Sequence, residues 1–176
     1  AVKLGYLPSL NCMYADEKGN IFYLYNASFP KRSSKFDWKD YLPGDTSESL
    51  WTDFEGYDLL PKILNPQSGF LQNCNSTPFN TTDGSDNPNP DNFPLKLGIE
   101  GYMTNRALRA LEMFGNDLKI SKDDIFEYKY DMKYSEKSAI AQYRNEILNA
   151  NFSIKTPIIN EALKVLKEWD LNTNPE

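Results

Sequence analysis

Cys12-Met13-Tyr14-Ala15-Asp16-Glu17-Lys18-Gly19-Asn20-Ile21-Phe22-Tyr23-Leu24-Tyr25 is the stretch that sets the class of the first half of this chain. Ile21 to Tyr25 is β-branched and aromatic, and Lys18-Gly19-Asn20 can reverse the chain out of the Cys12–Ala15 run, so the segment reads as a β-hairpin. Residues 30–62 mix Pro, Gly, Ser and charges, an irregular excursion expected to be pinned by Trp38, Trp51 and Phe54. Another strand is expected through Gly69-Phe70-Leu71-Gln72-Asn73-Cys74. The Asn, Asp, Thr, Gly and Pro run from Thr77 to Pro94 reads as a long surface loop.

Near residue 95 the period changes to that of a helix. Ala107, Ala110, Leu111 and Phe114 recur at i, i+3, i+4 and i+7, with Thr104 as cap and Gly115-Asn116 as stop. Ser121-Lys122-Asp123-Asp124 places a hydroxyl and carboxylates at a second helix start, opening a segment whose Ile140, Tyr143 and Ile147 line one face. Thr156-Pro157 starts a third, with Ile159, Ala162, Leu166 and Trp169 as its buried stripe. The organisation is α+β, with a β-rich segment over 1–95 and a helical segment of about three helices over 96–176. No internal repeat is seen.

The chain has 176 residues, 19 Lys+Arg against 25 Asp+Glu, and a formal net charge of −6. An acidic balance without a Lys/Arg cluster argues against nucleic acid or an anionic membrane surface as partner. No stretch of about 18 apolar residues is present to cross a bilayer. The chain contains no histidine, so Ser-His-Asp triads, Cys-His dyads and the commonest zinc sites have no internal base or ligand here. Cys12 and Cys74 are too few for a disulfide scaffold and leave two readings, buried thiols or one bridge.

The densest polar constellation is Asn65-Pro66-Gln67-Ser68-Gly69-Phe70-Leu71-Gln72-Asn73-Cys74-Asn75-Ser76-Thr77-Pro78. On a strand, Asn73 and Asn75 would share one face, and an amide N–H₂ stabilises a developing oxyanion without titrating. The plainer reading is that these amides cap turns at a strand end.

Tyr14-Ala15-Asp16-Glu17-Lys18-Gly19-Asn20-Ile21 and Asn65-Pro66-Gln67-Ser68-Gly69 leading to Asn73-Cys74-Asn75, followed by Asn105-Arg106-Ala107-Leu108-Arg109 and the closing Leu166-Lys167-Glu168-Trp169-Asp170, resemble the penicillin acylases in the family's order. The likeness is narrowest to the acyl-homoserine-lactone and aculeacin acylase branch. It implies part of an αββα N-terminal nucleophile hydrolase sandwich that cleaves amide bonds through a β-chain serine whose own α-amino group is the base. Such a base titrates near pH ~8 and needs no histidine. By motif, Asn75 is then the oxyanion donor, Leu10 lines the acyl pocket and Arg106 stands beside the asparagine or meets substrate.

This chain begins Ala1-Val2-Lys3 and holds no such serine, so it reads as an interior β-chain segment that does not hydrolyse amides alone. The resemblance requires no cofactor. It leaves room for a structural calcium with Asp86 or Asp91 as ligand, although the Asp83–Asn92 loop lacks the EF-hand pattern. The partners it implies are a small acyl-amide substrate and the remaining α and β chains, in a periplasmic or secreted setting, with no nucleic acid and no membrane. Self-association through uncovered apolar surface is also expected. Alternatively Arg106 and Arg109 sit on a helix flank, paired with Glu100, Asp117 or solvent. The competing functional class is a non-catalytic glycan- or ligand-binding module that uses exposed Trp and Tyr faces.

Overall fold

Asp16 decides where the first strand ends. In the computed structural model, which describes Lys3 and residues 9–153 and 156–173, β1 (Leu10–Ala15) and β2 (Ile21–Asn26) pair antiparallel with Cys12 opposite Leu24. Between them Asp16 accepts from the backbone N–H of Lys18 (3.0 Å) and Asn20 (2.8 Å) and from Asn20 Nδ2 (2.8 Å), while Gly19 takes φ +82°. These bonds, the Asn20 side chain first, hold the Asp16 carboxyl below the usual carboxylate range. The hairpin is where the sequence placed it, and the class is α+β.

The chain divides into two units, Ala1–Met103 and Thr104–Glu176, each described separately. In the first, β2 is the central strand of a three-stranded sheet ordered β1-β2-β3, with β3 over Lys62–Leu64, and Tyr23 and Leu24 are fully buried. Leu24 packs in a core with Phe29, Leu60 and Leu97, bordered by Cys12, Phe22 and Tyr25. The 30–62 excursion is held by Arg32, whose guanidinium lies 5.6 Å from the Trp38 ring and 5.8 Å from the Trp51 ring and donates to the Lys96 carbonyl at 2.6 Å. Trp51 and Phe54 are themselves exposed; Trp51 holds through Arg32, and Phe54 through its backbone bridge to Pro30, flanked by Lys31 N–H to the Asp53 carbonyl (2.9 Å) and Glu55 N–H to the Phe29 carbonyl (2.8 Å).

The third strand differs from expectation. It is β3 (Lys62–Leu64), paired with β2, and not Gly69–Cys74, which is irregular. The backbone there is turned repeatedly into the left-handed region, at Asn65 (φ 49°), Gly69 (φ 76°) and Asn75 (φ 55°). Its donors are also taken by side chains, Gln67 N–H by Asp86, Phe70 N–H by Ser68 and Asn75 N–H by Asn73, which is how Asn, Asp and Ser compete with a ladder. Cys74 therefore leaves the strand expected beside Cys12, and no disulfide joins the two.

The run 77–94 has no strand or α-helix, as its composition implied, and it is exposed at residues 83–85, 89–92 and 94, but its first part is buried. Thr81 and Thr82 are fully buried and Thr77 nearly so. Asn87 accepts from the N–H of Thr81 (2.8 Å) and Thr82 (3.2 Å) and returns its Nδ2 to the Thr82 carbonyl (2.9 Å). Gln72 N–H bonds the Thr81 carbonyl (2.7 Å), its Nε2 bonds the Asn80 carbonyl (2.8 Å), and the Ser68 and Thr82 hydroxyls meet. One carboxamide can thus replace a strand partner for a buried turn.

Among its described residues the second unit carries four helices where about three were expected: α1 (Asn105–Asn116), α2 (Lys122–Lys129), α3 (Ala139–Asn149) and α4 (Pro157–Glu168). Thr104, Ser121 and Thr156 cap as read, Ser121 in a reciprocal box with Asp124. The segment opened by Ser121 breaks at residues 130–138 because the connector is tied elsewhere and Ser138 starts a new helix. Arg109 holds Asp131 by two bonds of 2.8 Å and Glu112 by one of 2.9 Å, and Glu112 accepts from the buried Ser135 hydroxyl at 2.5 Å. Asn105 adds bonds to Ser135 N–H (2.8 Å) and the Lys133 carbonyl (3.0 Å). Arg109 thus pairs with neither Glu100 nor Asp117.

The helix faces also differ. Ile140, Tyr143 and Ile147 are exposed, and α3 buries Ala141. On α4 the inward residues are Ile159, Leu163, Leu166 and Trp169, all half-buried, with Ala162 exposed. Ile158 and Val165 add to the uncovered apolar side chains. No helix among the described residues is long and apolar enough to cross a membrane.

Two measurements check these attachments. The Arg109 contact depresses Asp131, so its stabilisation is complete above the unfolded carboxylate value near pH ~4 and is lost as pH falls through the lower folded value. Asp131→Asn should cost about 1–3 kcal/mol at pH 7 in urea unfolding, below the fully buried case because both side chains keep some solvent contact, and should flatten the acid limb below about pH 4. Asn87→Ala should cost about 1–3 kcal/mol and speed hydrogen exchange at the Thr81 and Thr82 amides, whereas unchanged protection there would show that Asn87 does not hold this turn.

Candidate functional site

Asn75 sits at the apex of the turn between the Gln72 and Thr77 attachments. Left-handed backbone is uncommon for a residue with a side chain, and Asn tolerates it better than most. The residue is exposed, its N–H bonds Asn73 Oδ1 at 3.2 Å, and the buried Ser76, Thr77 and Pro78 that follow fix the chain behind it. Thr77 N–H bonds the Tyr102 carbonyl at 3.2 Å, which brings the 98–102 segment alongside.

The result is a cleft of about 290 Å³ lined by Asn11, Tyr25, Asn75, Ser76, Thr77, Pro78, Gly98, Glu100 and Tyr102. Glu100 is its one charged side chain among the described residues. The Tyr25 phenol is pushed up by burial and then by Glu100 and Tyr102, so it stays protonated at neutral pH. Gly98 takes φ +69°, a conformation that strains any side chain, and a Cβ there would lie a tight 3.3 Å from Arg32 Nη1. A wider hollow of about 1000 Å³, with Phe36, Trp38, Leu95 and Ile99 in its wall, shares Gly98, Glu100 and Tyr102 with this cleft. Chemically the site offers neutral amide and hydroxyl groups beside apolar and aromatic surface.

The residues singled out in the sequence fall in different places. Asn75 lines the cleft on a turn, not on a strand edge. Leu10 opens β1, is exposed, and by strand alternation faces away from its neighbour Asn11, which does line the cleft. Arg106 lies in the first turn of α1 in the second unit and is exposed. Asp86 accepts from Gln67 N–H at 2.6 Å, and the exposed Asp91 sits in a 3-10 turn over Pro90–Asn92. No three acidic or cysteine side chains gather around one point among the described residues.

Asn11, Tyr25, Glu100 and Tyr102 were missed. For Asn11 the signal was its place in the strand, one residue from Leu10. Nothing local in the sequence marks Glu100 or Tyr102. The second unit has its own concavity, about 470 Å³, whose Arg109, Glu112, Asp117, Tyr128, Lys133 and Asp170 already engage one another or Asp131. There Asp117 accepts the Tyr128 hydroxyl at 2.8 Å and pushes that phenol up to about 12.

Comparison with known proteins places the chain. Penicillin G acylase of Escherichia coli is 36% identical over 78 residues, 44% of this chain and 9% of that protein. The solved thermostable penicillin G acylase from Alcaligenes faecalis, in orthorhombic form, matches with a TM-score of 0.67 and 22% identity over 96% of this chain and 28% of that one, a likeness of fold. The chain thus spans under a third of the length of either relative. A family model, penicillin amidase, matches residues 1–176, and the chain belongs to that family.

Proposed function

We propose that this chain is part of an amide-hydrolysing acylase of the N-terminal nucleophile type, in which Asn75 donates its side-chain N–H to the oxyanion of the tetrahedral intermediate. Three facts support the reading: family membership, the absence of histidine, and the position of Asn75 at the mouth of a cleft. The last carries it. An N-terminal serine supplied outside this chain would attack the acyl carbon and pass its proton to its own α-amino group. The carbonyl oxygen would take up negative charge, and the proton would return to the leaving nitrogen as the C–N bond breaks. Water would then release the acid from the acyl-serine by the same route in reverse.

The substrate is a small acyl amide whose scissile carbonyl sits in the cleft and whose acyl group extends toward the wider hollow. Glu100 bears on the leaving group. A carboxylate roughly 5 Å from it in water-like surroundings is disfavoured by about fourfold, so a neutral amine product such as a lactone amine suits this cleft better than a carboxylate-bearing one such as a β-lactam nucleus. The remaining acylase chains are its partners, in a periplasmic or secreted setting.

In the complete enzyme, Asn75→Ala should lower kcat about 10²- to 10³-fold with little change in KM, because the lost bond is strongest in the transition state. Near-parental kcat would remove Asn75 from the mechanism. Glu100→Gln should raise kcat/KM about fourfold for carboxylate-bearing amides and leave neutral ones unchanged, an effect that shrinks with added salt. A uniform change across both substrate sets would assign Glu100 a structural part only.

A further inference from the structure

Tyr23 is fully buried, and its hydroxyl donates to Asn11 Oδ1 at 2.6 Å. A phenol in such surroundings keeps its proton: burial, followed by Tyr25 and Cys12, pushes it far above its ordinary value. It is therefore a permanent donor, and the Asn11 oxygen is a permanent acceptor. Asn11 pairs across the hairpin with Tyr25, two residues along β2 from Tyr23, so all three side chains share a sheet face. Asn11 and Tyr25 both line the Asn75 cleft. An amide is planar, so once its oxygen is committed to the buried phenol, its N–H₂ is held on the other arm of the same plane.

We propose that Asn11 is a second carboxamide donor of the cleft, binding an acceptor oxygen of the substrate amide, and that Tyr23 is the positioning residue that fixes its orientation. This rests on the acylase reading above. The division of labour is specific. The Asn75 amide meets an oxygen whose charge grows in the transition state. Asn11 meets an oxygen whose charge hardly changes, in the acyl chain or the leaving group, and contributes equally to substrate and transition state. A chain with no histidine and a single charge in its cleft recognises a neutral amide with groups that do not titrate.

The test uses the complete enzyme and a neutral acyl amide. Asn11→Asp keeps the side-chain shape and still accepts from Tyr23, but the ionised carboxylate cannot donate, so KM should rise about tenfold with kcat within about twofold. The excess should shrink as pH falls, because the protonated acid regains an O–H. Tyr23→Phe should raise KM about threefold in the parent and have no further effect on KM in an Asn11→Ala background. Far-UV circular dichroism and thermal melts of each variant separate loss of fold from loss of binding, with Tyr23→Phe the mildest change. Parental KM in both Asn11→Asp and Tyr23→Phe, with Asn75→Ala crippled in kcat, would overturn this proposal and leave the acylase reading standing. Full activity of Asn75→Ala would strike at the acylase reading itself.

Discussion

Asn65 is the joint on which the first unit turns. It ends β3 in left-handed backbone, its N–H donates to the Ile21 carbonyl (2.9 Å), its Oδ1 accepts from Ile21 N–H (2.8 Å), and its Nδ2 donates to Asn20 Oδ1 (2.9 Å). One residue thereby closes the sheet end, locks the hairpin turn from outside and sends the chain into the segment that carries Asn75. Glycine would relieve the backbone strain but leave the Ile21 N–H and the Asn20 amide without this partner. Asparagine is the residue that tolerates the conformation and supplies both the donor and the acceptor.

The two units are held by different physics. The first has a conventional apolar cluster around Leu24 under a twisted hairpin. Among its described residues the second buries mostly small side chains, Ala107, Ala110 and Ala141, with Leu171 as the one large fully buried side chain. Leu171 adopts φ 68°, costly for a leucine by roughly 1–2 kcal/mol. The conformation persists because the flanking chain is tied down, Tyr134 N–H to the Leu171 carbonyl (2.9 Å) and Thr173 N–H to the Met132 carbonyl (3.1 Å). With little apolar burial, orientation of the connector rests on Arg109 and its two carboxylates, and this unit is the one that acid should loosen first.

What the sequence disclosed was local. The hairpin turn and the caps at Thr104, Ser121 and Thr156 are decided by residues within about four positions of each other, and all were legible. β3 was not, because three residues make a strand only when β2 already offers an open edge. The break between α2 and α3 was hidden because its cause, the Arg109–Asp131 contact, spans 22 residues. The buried turn around Thr81 was misread because composition registers polarity, not which amide satisfies which N–H. Asn75 is singled out by a motif, while Glu100 and Tyr102 line the same cleft through a backbone bond from residue 77 to 102.

The absence of histidine bears on what the cleft can do with pH. Carboxamides have no proton to lose in water, and the Tyr25 phenol that lines the cleft is pushed up by burial, so its donors stay donors through neutrality and above. An α-amino base changes its protonation near pH ~8, inside that span. If the two act together, a change in rate across neutral pH belongs to the base and not to the groups that receive the oxyanion. The stabilising field is then constant while the nucleophile is switched on, an arrangement that a histidine lining the cleft would disturb by adding a charge in the same range.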